Sequence, residues 1–372
     1  MKVLILTNSD IGLYKFRKEL LQELVHPGTY INHVKKTTTC EVIIAVPDGC
    51  YVSELEKIGC RIIKVIMDRR GMNPFNDLKL VSQYWSIINN IGPDIVLTYT
   101  IKPNIYGGIL CGLKKIKYLS NVTGLGTSIE NSSFSSNVIL IMYKLGLRKA
   151  DKVFFQNEAN RNYFWKKRII RKSSTILPGS GVNLIENGYE NYPENDGNLR
   201  FLFVGRIMRN KGIDEFLSCA EYIKKNYPFT WFDIIGDYDE DQYRIRIEEL
   251  HTKGIVRYYG YQNDVHSFMK NHHAIILPTY HEGLSNVLLE SAAAGRPVIA
   301  SDIPGCRETF DEGITGFGVK PKDRKDLIRA VERFISLSYE EKRQMGIAAR
   351  EKVLREFNRI KVIKAYLHAM NI

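Results

Sequence analysis

The chain has 372 residues, 44% hydrophobic and 25% charged, enough for about two globular domains of ~100–200 residues each. No apolar run reaches the ~18–20 residues of a membrane-spanning helix, the opening MKVLILTNSD reads as a first strand rather than a signal peptide, and six scattered cysteines (Cys40, Cys50, Cys60, Cys111, Cys219, Cys306) without CxxC spacing argue against a disulfide framework or a zinc site and for reduced thiols in a cytoplasmic protein. Net charge is +12: residues 1–182 carry 26 Lys and Arg against 13 Asp and Glu, the remainder 27 against 28, so the first half suits an anionic surface or substrate, nucleic acid and anionic lipid alike, or is simply a soluble basic face.

In chain order, Val3–Leu6 predicts a strand and residues 7–12 a loop, followed by a helix over 13–25 with Phe16, Leu20, Leu21 and Leu24 on one face. Strands follow at 42–46, 61–66 and 93–99, separated by helices at 51–58 and 74–91. Leu78, Val81, Trp85 and Ile88 mark the expected buried side of the second. A strand at 117–122, a helix at 137–149 and a strand at 152–156 continue the series. The β-α-β order implies a parallel sheet with right-handed crossovers. Residues 183–198, rich in Asn, Glu and Gly, predict a linker. A second series begins at Leu199 and alternates strands and helices to residue 356, and a last helix, Arg359–Met370, is long enough to cross back onto the first domain. The expected fold class is α/β: two Rossmann-like domains facing across a cleft, residues 1–182 with 357–372, and residues 183–356. Ligands in such sheets bind outside the carboxyl ends of the strands.

The stretch Ile275–Asp302 organises the second series. An apolar run ends at Pro278, a polar loop leads through Gly283-Leu284-Ser285-Asn286 to a helix ending at Gly295, and Glu282 and Glu290 bracket it. The free backbone N–H groups and positive dipole of a helix start make an anion site, with Ser285 or Asn286 as the cap. Gly205-Arg206-Ile207-Met208-Arg209-Asn210-Lys211-Gly212 also follows an apolar strand. It offers close backbone approach at Gly205 and fixed positive charge at Arg206 and Lys211; two solvated cations in a loop are the plain alternative. Tyr259-Gly260-Tyr261 is a turn whose aromatics either border a nucleobase or pack on the protein.

Together these stretches resemble the donor-binding half of the family 4 retaining glycosyltransferases, of GT-B fold. The first domain, through Asp10–Arg17, Thr100-Ile101-Lys102-Pro103-Asn104 and Asn121–Gly126, is similar to a bacterial subgroup that extends undecaprenyl-diphosphate-linked sugars for capsule, O-antigen or protein glycans. The resemblance implies that Arg206 and Lys211 hold the donor diphosphate and stabilise charge on the departing UDP, and that Glu282 contacts the donor sugar. It further implies that Glu290 accepts the ribose hydroxyls, that Gly283, Leu284 and Ser285 offer backbone N–H groups beside Asn286, that Tyr261 borders the base, and that Gly12 admits the phosphates to the first domain. Arg17, Lys102, Thr123 and Gly124 are the expected acceptor-side residues; for Arg17 and Lys102 a structural salt bridge is the rival reading. The implied chemistry transfers a hexose or N-acetylhexosamine from a UDP-sugar to a lipid-linked saccharide at the inner face of the plasma membrane, with no cofactor and no metal. Many relatives carry a histidine in the loop equivalent to 123–127; none stands here, so no catalytic base is assigned.

Other readings of the same residues fare less well. A hydrolase pair made of Glu282 and Glu290 is disfavoured, because eight helical residues rise ~12 Å where glycosidase carboxyls stand ~5–9.5 Å apart. Asp237-Tyr238-Asp239 resembles a metal-binding D-x-D but reads better as an acidic turn, and no loop carries the full glycine fingerprint of an NAD site. The basic run Arg161–Lys172 suits anionic lipid, at ~1 kcal/mol per cation near the surface, or a solvated helix face. A UDP-sugar epimerase and a basic membrane- or nucleic-acid-binding module stand as alternatives to the transferase.

Overall fold

The computed structural model describes residues 1–31, 39–68, 71, 73–124, 134–170 and 174–372. The chain divides into two compact units, Met1–Ser180 with Ile360–Ile372, and Gly181–Arg359. The described residues include no helix long and apolar enough to cross a membrane.

Among the described residues the first unit holds seven parallel strands, β1 (Lys2–Leu6), β2 (Glu41–Val46), β3 (Arg61–Lys64), β4 (Ile95–Tyr99), β5 (Lys117–Val122), β6 (Lys152–Phe155) and β7 (Ser174–Ile176), in the order β3-β2-β1-β4-β5-β6-β7. The central strands are almost unbroken runs of Val, Ile and Leu because both faces of the sheet are covered. Val3 stands opposite Val42 on one side and Ile95 on the other. Alternate residues feed two cores. Val3, Ile5, Val42 and Ile44 pack under α1 (Asp10–Val25), α2 (Val52–Lys57) and α13 (Arg359–Met370). Leu4, Leu6, Ile43 and Val96 pack under α3 (Pro74–Ile91), α4 (Gly108–Lys114), α5 (Phe134–Leu147) and α6 (Glu158–Lys166).

Two sequence expectations need correction. The buried side of α3 is Leu80, Tyr84, Ile87, Ile88 and Ile91, whereas Leu78 and Trp85 are exposed and Val81 is half-buried. The helix carries two apolar stripes, and the one holding Tyr84 and Ile87 faces the sheet. Helix α1 begins at Asp10 rather than Leu13, because Ser9 caps it: its hydroxyl accepts the Gly12 N–H at 3.0 Å.

The second unit holds six parallel strands, β8 (Leu199–Val204), β9 (Thr230–Ile235), β10 (Arg257–Tyr258), β11 (Ala274–Leu277), β12 (Val298–Ser301) and β13 (Gly316–Val319), in the order β10-β9-β8-β11-β12-β13. Helices α7 (Ile213–Asn226), α8 (Tyr243–Thr252), α9 (Val265–Lys270), α10 (Asn286–Ala293), α11 (Arg324–Ser336) and α12 (Tyr339–Glu356) surround it. The segment expected as a linker is docked on this unit. The fully buried Arg296 donates to the carbonyls of Glu190 (3.0 Å) and Asn191 (2.7 Å), and also to those of Met269, Lys270, Ala294 and Gly295.

Candidate functional site

In the second unit the strand order reverses between β8 and β11, which pair directly. The loops leaving their carboxyl ends therefore flank the crevice where open α/β sheets bind ligands. These two loops, 205–212 and 278–285, are the ones singled out by sequence.

Hydrogen bonds join them. The Tyr280 N–H donates to the Asn210 carbonyl at 2.9 Å, and the Thr279 hydroxyl to the same oxygen at 3.1 Å. A 3-10 turn at Arg209–Lys211 leads into Gly212, whose φ of +75° starts α7. A Cβ there would lie 2.0 Å from the Pro278 carbonyl oxygen, so only glycine lets the loops approach. A third loop closes the corner from the β12 side: Gly305, with φ +89°, accepts the Ser285 N–H at 2.8 Å, and a Cβ on it would meet the Glu282 carbonyl at 2.6 Å. Nothing in the sequence pattern singled out Gly305 or the Thr279–Asn210–Tyr280 stitch.

The consequence is a close charge pair. Lys211 Nζ stands 2.5 Å from Glu282 Oε1, both side chains mostly buried. An ammonium has three donors, so one bond to Glu282 leaves capacity for an anion. Cys306, fully buried, borders the pair, and burial holds its thiol well above the ordinary range. Arg206 is more exposed and its Nη1 lies 3.2 Å from Asp239 Oδ2. The second aspartate of D-x-D thus faces an arginine. Among the described residues no group of three or more His, Cys, Asp or Glu is placed to hold a metal ion.

Ser285 caps α10, accepting the Leu288 N–H at 3.5 Å. Its own N–H goes to Gly305, which corrects the expectation that Ser285 offers its amide to a phosphate. Leu284 is buried against Leu289, Val353 and Phe357, so it fixes the loop. Gly283 and Glu282 are half-buried beside it. Asn286 opens the helix, and its Oδ1 is buried with no hydrogen-bond partner. A buried acceptor left without a donor costs ~1–3 kcal/mol, which makes it a position for a ligand donor or water. Glu290 lies one turn on and is half-buried. Tyr261 is exposed, after Gly260, whose carbonyl accepts the Gly236 N–H at 2.9 Å. His281 is exposed at the loop's edge; partial desolvation of its ring and the nearby Lys322 lower its pKa.

The first-unit residues are placed differently. Gly12 lies in the first turn of α1 rather than in a loop, with its N–H committed to the Ser9 hydroxyl. Arg17 is only 4% exposed: its Nη1 donates to the Phe16 carbonyl at 2.8 Å, and its guanidinium lies 5.7 Å and 5.8 Å from the rings of Tyr99 and Tyr366. It is a core cation, not a surface acceptor contact. Lys102 is bound to Asp77 at 2.7 Å, with Tyr106 on the other carboxylate oxygen at 2.8 Å, so its structural role as a salt bridge prevails. Thr123 and Gly124 follow β5 and are half-buried; residues 125–127, next to them, lie outside the described set. So do 171–172 of the basic run; of its earlier part, Trp165–Arg168 are exposed while Phe164, Ile169 and Ile170 are buried in the core of the first unit.

The chain matches two domain families: "Glycosyl transferase 4-like" over residues 24–157 and "Glycosyl transferases group 1" over 186–352. It is 26% identical to the N,N'-diacetylbacillosaminyl-diphospho-undecaprenol alpha-1,3-N-acetylgalactosaminyltransferase of Campylobacter jejuni, over 94% of this chain and 92% of that one. It is also 26% identical to the capsular polysaccharide biosynthesis glycosyltransferase CapM of Staphylococcus aureus, over 80% of each. Among solved structures, Anabaena HepE in complex with UDP and glucose superposes with a TM-score of 0.78 at 15% identity, covering 100% of this chain and 99% of that one. With both halves matched to transferase families and the whole chain following that architecture, the protein belongs to the glycosyltransferases of family 4 type and has the GT-B fold.

Proposed function

We propose that the protein is a retaining glycosyltransferase that moves a hexose or N-acetylhexosamine from a UDP-sugar to an undecaprenyl-diphosphate-linked saccharide, at the inner face of the plasma membrane and without a metal ion or other cofactor. The observation that carries this reading is the Lys211–Glu282 pair at the β8/β11 crevice, beside Arg206 and the N-terminus of α10. Lys211 and Arg206 supply the positive charge that a metal would otherwise bring to a diphosphate. That charge counts most as the UDP oxygen becomes anionic, so it lowers the barrier rather than merely binding the donor. Glu282, held by Lys211, accepts hydroxyls of the donor sugar. Glu290 accepts the ribose hydroxyls, and Asn286 Oδ1 takes a donor from the ligand. With no base assigned, the departing phosphate assists deprotonation of the acceptor hydroxyl on the same face of the sugar, which retains the anomeric configuration. The names of the relatives support the acceptor: the Campylobacter enzyme acts on an undecaprenol-linked diphosphosaccharide, and CapM serves capsular polysaccharide synthesis.

The test is a panel of UDP-sugars, each incubated in EDTA with and without a synthetic undecaprenyl-diphosphate saccharide. An α-linked product that requires the acceptor and forms undiminished in EDTA is expected. A strict need for Mg²⁺ or Mn²⁺, an inverted product, or sugar isomerisation without acceptor would each overturn the corresponding part.

A further inference from the structure

The acidic turn between β9 and α8, Asp237-Tyr238-Asp239-Glu240-Asp241, has the spacing of a D-x-D motif, and the donor reading leaves it without a task. Its backbone lies directly on the loop that carries Arg206 and Lys211. The Ile207 N–H donates to the Asp237 carbonyl at 2.7 Å, and the Asp239 and Glu240 N–H groups both donate to the Ile207 carbonyl, at 3.1 Å and 3.2 Å. Gly236 makes the approach possible: its φ is +143°, and a Cβ there would stand 1.8 Å from the Gly205 carbonyl oxygen. Tyr238 packs on Tyr258 with ring centroids 5.0 Å apart, and the Arg244 guanidinium lies 4.4 Å from its ring. These contacts anchor the turn to β10 and α8.

The carboxylates of the turn face different ways. Asp241 binds Arg244 at 2.7 Å, and Asp237 is exposed. Glu240 Oε2 accepts the Arg209 N–H at 3.4 Å, at the start of the 3-10 turn that delivers Lys211, and the Gln242 amide at 2.9 Å. Asp239 faces Arg206. Its side chain is 19% exposed and that of Arg206 53%, so a fixed carboxylate holds a guanidinium that is otherwise half in solvent. Among the described residues, Nη1 is the one guanidinium nitrogen of Arg206 that is hydrogen-bonded. Arg257, by contrast, gives both Nε and Nη2 to Asp233, at 2.7 Å and 2.9 Å. Those two nitrogens form the flat edge that matches a carboxylate or a phosphate. In Arg206 that edge stays open.

We propose that Asp239 is a positioning residue for the donor diphosphate: it holds Arg206 by its outer nitrogen and presents the Nε–Nη2 edge to a phosphate. The inference rests on the reading of Arg206 as a diphosphate ligand. An arginine side chain loses rotamer freedom when it docks on a ligand. Asp239 imposes that order beforehand, so the charge already points where the leaving oxygen becomes anionic. Two rivals fit the geometry less well. A competitor for the guanidinium would take the edge a phosphate needs, whereas Asp239 takes Nη1. A metal motif would use the carboxylates of Asp237 and Asp239 together, whereas Asp237 meets the loop through its backbone carbonyl and Asp239 faces a cation already.

The experiment is a double-mutant cycle on the full chain: wild type, Asp239→Ala, Arg206→Met and the double variant, with Asp239→Asn and Asp237→Asn beside them. UDP affinity is read by calorimetry in EDTA and in Mg²⁺, and melting curves show that each variant is folded. Asp239→Ala is expected to weaken UDP binding about three- to tenfold, the cost of ordering one long side chain on the ligand. Asp239→Asn, whose amide oxygen still accepts the Nη1 bond, is expected to weaken it less, and Asp237→Asn to leave it unchanged. In the Arg206→Met background Asp239→Ala is expected to bring no further loss, because the carboxylate acts through the guanidinium. Tighter UDP binding in Asp239→Ala marks a competitor and overturns the inference. An equal loss in both backgrounds marks a merely structural turn and overturns it too, as does a Mg²⁺-dependent affinity lost alike in Asp237→Asn and Asp239→Asn. If Arg206→Met binds UDP as the wild type does, the reading of Arg206 itself falls. If Arg206→Met is weakened and Asp239→Ala is not, that reading stands and the positioning role alone is overturned.

Discussion

Lys211 and Glu282, 71 positions apart in sequence, meet at 2.5 Å because Gly212 lets one loop lie against Pro278 while Gly305 backs the other. The pair is the point where the two halves of the sequence motif become one site. It gives opposite expectations for its two members. Lys211→Met removes a cation from the diphosphate position, and UDP affinity should fall by about tenfold or more, the ~1.5–3 kcal/mol of a charge-assisted hydrogen bond. Glu282→Gln frees Lys211 from its counter-ion, so UDP affinity should hold or rise while sugar transfer falls. Calorimetric titration of UDP, alongside initial rates with the UDP-sugar, separates the two effects.

The loop geometry itself is testable without a ligand. Gly212→Ala places a Cβ 2.0 Å from the Pro278 oxygen at φ +75°, a strained conformation costing ~1–3 kcal/mol. The melting temperature should drop, and UDP affinity should fall with it because the Asn210–Tyr280 stitch opens.

Arg296 should behave as a structural centre. It is fully buried and donates to six backbone carbonyls, from Glu190, Asn191, Met269, Lys270, Ala294 and Gly295. Arg296→Met leaves those buried oxygens without donors, at ~1–3 kcal/mol for each one that water does not reach. Chemical denaturation should show one of the larger losses of stability of any single substitution in this unit. Arg296→Lys should recover only part of it, since an ammonium has three donors.

Much of the architecture was legible in the residues. Runs such as Val3–Leu6 and Ile275–Leu277 are apolar throughout because parallel strands are buried on both faces. The site loops announced themselves as Gly, Arg, Lys and Glu directly after those runs. What stayed hidden was the choice between equals. Helix α3 has two apolar stripes, and periodicity does not say which one meets a sheet and which meets something else. Arg17 and Lys102 are cations on elements near strand ends. Only the fold shows that Tyr99 and Tyr366 enclose the first and Asp77 binds the second. Arg296 works through backbone carbonyls, which leave no trace in side-chain patterns.

A pH prediction follows from His273. It is buried, its Nδ1 accepts the Arg200 N–H at 3.1 Å, and burial, with a contribution from Arg200, lowers its pKa to about 4. The unfolded chain takes up this proton near its ordinary pKa of ~6.5. The ring's neutral form is therefore favourable to folding above that value, and stability falls as pH drops from ~6.5 towards 4. The loss amounts to about 3 kcal/mol at ~1.36 kcal/mol per pKa unit. Urea midpoints measured across this window should decline less steeply in His273→Asn, which keeps an acceptor but cannot charge.

The central claim is that the α10 corner of the second unit is the UDP site, and Glu290 tests it most directly. Isothermal titration of UDP into the wild type and into Glu290→Ala, with melting curves to show that both are folded, is the measurement. If Glu290 accepts the ribose hydroxyls, UDP affinity in the variant falls by about tenfold or more while the melting temperature changes little. An unchanged Kd in a folded Glu290→Ala variant contradicts the account.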